Sequence, residues 1–249
     1  MSDLTGELPQ VGKREVEFER LKGARVGSGY STELWSDERL QVAAQGLVAY
    51  EKLIKKLAGG TSKKFLDDPA IQNCFLGISP VQHFMAELSQ DEVEQINRSF
   101  AVDGDNFFAV SYTPPLAKHP NTILINIDEA GDIMKKNHDL FRGVSNCSEY
   151  LKTKYRDYLV PAAYLPLKIH DQRHGILSGF PRKTVDLWSK VNNGISIARF
   201  TNRANEFGVG DSKKGVYFGG FDQSDVVWAN EAVALRDSSG IENIMPAKS

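Results

Sequence analysis

Apolar residues recur at three-to-four spacing between positions 40 and 57 (Leu40, Ala43, Leu47, Ile54, Leu57), which predicts an amphipathic helix over residues 36–58. Ser36 supplies its cap, Asp37 and Glu38 suit the positive end of its dipole, and Gly59-Gly60 ends it. Lys52, Lys55 and Lys56 then fall on the solvated face. Asp68-Pro69 carries the cap-then-proline signature of a second helix reaching Phe75. Ser79-Pro80 repeats the device and predicts a third, with Val81, Phe84, Met85 and Leu88 inward. Ser89 and Glu92 have capping-box spacing, so a fourth is expected through Val93 and Ile96. Residues 1–33 are polar and glycine-dotted and are expected to form a flexible N-terminal arm, docked through Val16, Phe18 and Leu21.

The pattern changes after a sub-boundary near residues 101–105. Residues 106–112 (NFFAVSY) and 122–127 (TILINI) are rich in β-formers and predict strands, as do 195–200 (ISIARF) and 216–221 (VYFGGF). Further helices are expected around Tyr150 to Leu159, from Pro181 through Val191, and from Ser224 or Asp225 through Val233. Pro161 and Pro166 impose an extended segment between the first two. The expected fold class is α+β: a helical N-terminal region, then a mixed sheet of about four to five strands with packed helices, residues 34–249 forming a single domain. Helices between most strands leave a βαβ-containing sheet as the alternative topology.

The charge balance narrows the function classes. Thirty basic residues against thirty-two acidic ones give a net charge of −2, which argues against a nucleic-acid binder driven mainly by electrostatics. Only Cys74 and Cys147 are present, and neither lies in a CxxC pair, so a thiolate zinc site or a disulfide scaffold is not expected. The N-terminus has no basic region followed by an apolar stretch, and no window approaches the roughly 18 to 20 apolar residues that span a bilayer. The chain is therefore expected to be soluble and cytoplasmic, with no membrane partner.

The densest chemistry lies in the run IHDQRHG at 169–175. His170 and His174 are four apart, and on a helix that spacing offers both imidazoles to one metal ion, zinc, iron or manganese. Asp128 or Glu129, at the end of the second predicted strand, is the candidate further ligand, and Asp171 the residue that orients an imidazole. A proline four residues before His170 and a glycine directly after His174 make a turn the competing local structure. Without a metal, His170 or His174 serves as general acid or base while Arg173 and Arg182 hold an anionic substrate, with Gly175 allowing close backbone approach. Bland alternatives stand beside each of these: paired histidines, a capping aspartate, salt-bridged arginines and turn glycines.

Other motifs are weaker. The glycines at 23, 27 and 29 depart from phosphate-loop spacing. No GxSxG is present, and Cys147 sits in a Ser-Asn-Cys-Ser context that reads as a helix cap. The stretch 214–221 (KGVYFGGF) partly matches an RNA-recognition strand, and Arg199, Arg203, Lys213 and Lys214 sketch a basic patch diluted by Glu206 and Asp211. The leading expectation is a cytosolic enzyme acting on a small polar or anionic substrate through a site centred on His170 and His174, with or without a metal. The alternative is a non-catalytic binding protein, single-stranded nucleic acid being a minor option.

Overall fold

The computed structural model describes residues 10–57, 60–84, 88–103, 106–112, 121–154, 167–192, 208–219 and 223–244. Helix α1 (Gln10–Arg25) packs on α2 (Asp37–Lys56). Ser36 caps α2 by accepting from the Arg39 N–H, and Leu57 closes its other end with an N–H bond to the Leu53 carbonyl. After α3 (Gly60–Asp67), the Asp68 carboxylate takes the N–H groups of Ala70 and Ile71 and opens α4 (Pro69–Phe75). Gly46 lets α2 and α4 close up: a Cβ there would lie 1.7 Å from the Phe75 carbonyl oxygen. The capping box forms as predicted before α5 (Gln90–Asp103), Ser89 and Glu92 each accepting the other's backbone N–H.

Two expectations are corrected here. Part of the predicted arm is helix α1, with Leu21 wholly buried. Its apolar positions are sparse, so the periodic signal is faint, while Glu, Lys and Arg are good helix formers and Arg20 pairs with Glu17 one turn away. The helix predicted after Ser79-Pro80 is instead strand β1 (Val81–Phe84). Pairing along its whole length with β3 outweighs the local cap signal.

The described sheet is three-stranded and antiparallel, in the order β1–β3–β2, with β2 at Phe107–Tyr112 and β3 at Asn121–Asn126. The α+β class holds, but the sheet is smaller than the expected four to five strands, and each described pairing is antiparallel. Strands β4 (Gly208–Asp211) and β5 (Val216–Gly219) form a separate ribbon. The strand predicted at 195–200 lies outside the described residues.

The central strand β3 is covered on both sides. Leu124 faces a core built from α1, α2, α4 and α5 and from α10 (Gln223–Ser239), together with Phe84, Phe107 and Ala109. Ile123 and Ile125 point the other way, into a second core with Val81, Val110 and residues of α6 (Ile127–Lys136), α8 (Leu167–Leu177) and α9 (Arg182–Asn192). The alternation follows the two-residue period of a strand. A short helix α7 (Cys147–Glu149), continued by a π turn over Tyr150–Lys154, adds Tyr150 and Leu151 to that second core. Asn146 caps α7, as its sequence context implied.

Candidate functional site

Residues 169–175 lie within α8, so the helical alternative wins over a turn and residues 170 and 174 are one turn apart along its backbone. The side chains of His170 and Asp171 lie outside the described residues. Gln172 donates to Asp186 of α9 at 2.8 Å. Gly175 sits where α8 meets α9: a Cβ there would lie 2.9 Å from the Val185 Cγ2, so the glycine serves helix packing.

His174 meets a residue that the sequence reading passed over. Its ring lies 5.2 Å, centre to centre, from that of His83 at an interplanar angle of 77°. His83 stands opposite Ile123 in the β1–β3 ladder and shares the face of Val81, so it looks toward the second core and α8. Burial, aided by the nearby His174, pushes the His83 pKa down to about 4, which leaves its imidazole neutral at physiological pH. Reading 81–84 as a helix hid this residue. A period-two reading of Val81-Gln82-His83-Phe84 places it on the apolar face.

Arg173, the next residue along α8, turns elsewhere. Its Nε donates to the Leu140 carbonyl and its guanidinium lies over the Phe141 ring, 5.4 Å from the centre. It lines a cleft of about 220 Å³ with Arg142, Ser145, Asn146, Glu149 and Tyr150. The cleft sets two guanidinium groups, a hydroxyl and an amide beside one carboxylate, that of Glu149, and keeps a net positive lining. Arg182, the other predicted clamp, is committed within the protein. It pairs with Asp139 and with Asp186, each at 2.9 Å, and bonds Asn137. These hydrogen bonds, that to Asp139 foremost, raise its pKa and lower that of Asp139.

Among the described residues the predicted acids bond to partners other than His174. Asn126, the last residue of β3, caps α6 by accepting from the Glu129 N–H, so strand and helix join without a loop. Glu129 is buried and ion-paired with Arg39, which also donates to the Gly77 carbonyl. Burial lowers the Arg39 pKa to about 10, and it stays charged at neutral pH. Both line an open groove of about 560 Å³ with Glu33, Glu38, Asp132 and Lys136. Asp128 is exposed and accepts from Asn106. Among the described residues, no three His, Cys, Asp or Glu side chains gather closely enough to hold a metal ion.

The remaining motifs resolve simply. Cys74 is buried, which raises its thiol pKa, and Cys147 is half-buried; neither is in a disulfide. Lys214 is held by Asp237. Gly27 and Gly29 adopt positive φ in the turn after α1. No described helix is long and apolar enough to cross a membrane. No protein-family model matches the chain, and neither a curated protein nor a solved structure is significantly similar to it.

Proposed function

We propose that this chain is an enzyme acting on a small anionic substrate, with the His83–His174 pair as its reactive centre and the Arg142–Arg173 cleft as its anion holder. The observation that carries the reading is the ring-to-ring meeting of two imidazoles from different rigid elements, a strand and a helix. A neutral His83 beside His174 sets a nitrogen base next to a second proton-transfer group. Consecutive residues of one helix serve the two tasks: Arg173 enters the cleft and His174 meets His83. Asp128, Glu129 and Arg182 have structural partners and take no part in this reading.

The test is direct. Phosphate, malonate and citrate are titrated at fixed ionic strength against the wild type, Arg142→Gln and Lys190→Gln, an exposed control. Saturable binding that weakens about tenfold or more in Arg142→Gln alone supports the anion cleft. Turnover of chromogenic phosphate or carboxylate esters that is lost in His174→Gln supports the imidazole centre. Absence of both overturns the reading. It would favour a non-catalytic interaction protein, for which Val11, Val16 and Val26, 67%, 56% and 76% exposed on and after α1, are the contact candidates.

A further inference from the structure

An arginine three positions before a serine occurs three times in the chain, at Arg25–Ser28, Arg142–Ser145 and Arg236–Ser239. The structure separates the three. Arg236 and Ser239 are both buried. The Ser28 hydroxyl donates to the Arg25 carbonyl, and Arg25 is tied to Asp37 and to the Trp35 carbonyl. Arg142 and Ser145 are exposed in the connection between α6 and α7, and among the described residues neither side chain has a hydrogen-bond or ion-pair partner. The backbone there is lightly held: among the described residues, 142–145 make one backbone hydrogen bond, from the Val144 N–H to the Phe141 carbonyl. A protein kinase that recognises a guanidinium three residues ahead of its target serine needs both groups free and the backbone open.

We propose that Ser145 is a phosphorylation site and that its phosphate occupies the Arg142–Arg173 cleft. Ser145 lines that cleft together with both arginines, so a phosphate on its Oγ is tethered within it. Glu149 is the one carboxylate in the lining and opposes the phosphate, and the two guanidinium groups outweigh it. The phosphoryl donor is a nucleoside triphosphate bound to the kinase. The Ser145 Oγ attacks the γ-phosphorus, and the bond from that phosphorus to the bridging oxygen breaks. The nucleoside diphosphate leaves with the electron pair, and the hydroxyl proton passes to the kinase's carboxylate base. The inference deepens the function proposed above and rests on the positive lining of its cleft. A tethered dianion held there closes the cleft to an outside anion, so phosphorylation regulates that site.

The full chain is incubated with magnesium, ATP and a protein kinase that prefers arginine at that position, and the products are mapped by peptide mass spectrometry. One phosphoryl group per chain is expected, on Ser145. It should be absent in Ser145→Ala, unchanged in Ser28→Ala, and added about tenfold or more slowly in Arg142→Gln. Phosphorus NMR then reads where the phosphate sits. Held by two guanidinium groups, the phosphoserine should lose its second proton about one pH unit below the same residue in the urea-unfolded chain. Malonate should bind saturably to the unmodified protein and not to the phosphorylated one. No incorporation, incorporation confined to another residue, an unshifted second ionisation, or malonate binding that survives complete phosphorylation overturns the inference. Malonate binding by the unmodified protein tests the function above by itself: if it is absent, that reading loses its cleft, and a shifted phosphoserine still upholds this one.

Discussion

The two faces of β3 bury apolar side chains equally well but treat charge differently. On the α1–α2–α4–α10 side, buried charges are enclosed by bonds to the chain. Glu231 takes the N–H and hydroxyl groups of Ser31 and Thr32, and Arg236 binds the Pro69 carbonyl, Asn73 and Gln72. These groups link segments that lie 163 to 200 residues apart. Glu129 of α6 is closed in the same way by Arg39, whereas toward α8 the groups sit at the rim of a smaller core: His83 and His174 face each other, and Arg173 borders a cleft. Closed charges support the fold. Rim groups of intermediate burial, one of them with a shifted pKa, mark where a site is to be sought.

The largest effect expected on stability comes from opening a closed charge. Glu129→Ala leaves the Arg39 guanidinium buried without its carboxylate, and urea unfolding should show a loss of about 3–5 kcal/mol. A double replacement by apolar residues, Arg39→Met with Glu129→Leu, should recover much of it. If Glu129→Ala unfolds like the wild type, the contrast between closed and rim charges fails.

The second face should respond to pH. An unfolded chain takes a proton on His83 near pH 6.5, whereas the folded protein resists until about 4. Its depressed pKa therefore costs nothing above pH 6.5, erodes stability as pH falls through that window, and levels off below it. The full difference is about 3 kcal/mol. His83→Gln should flatten this slope between pH 6.5 and 4 while changing little at pH 7.5, as followed by denaturation midpoints. A parallel slope in the variant would assign the effect to other groups. The smallest change is expected at Arg182, whose partners are well exposed: Arg182→Gln should cost less than about 1 kcal/mol, and less again in high salt.

Much of the scaffold was legible in the sequence because its signals are local. Ser36, Asp68 and the Ser89–Glu92 pair start their helices as written, and the runs expected as strands at 106–112 and 122–127 form strands at Phe107–Tyr112 and Asn121–Asn126. The failures are of another kind. Residues 81–84 carry a helix-start signal and become a strand only because β3 offers an edge, a partner forty residues away that local patterns do not contain. That one misreading concealed His83, and with it the residue that meets His174. The histidine run at 169–175 was visible, and the helix beneath it gives the spacing its meaning. Charged partners were harder to anticipate. Nothing near Glu129 or Arg182 in sequence announces Arg39 or Asp139, because ion pairs between distant segments depend on how helices pack.

A strand buried on both faces is also a mechanical link. A one-residue slip of β3 would turn Leu124 into the space shaped for Ile123 and Ile125 and spoil both cores at once. The Leu124 amide should therefore exchange its hydrogen only through the most global opening the protein undergoes, and the histidine pair inherits that slow clock from Ile123 directly across the ladder from His83.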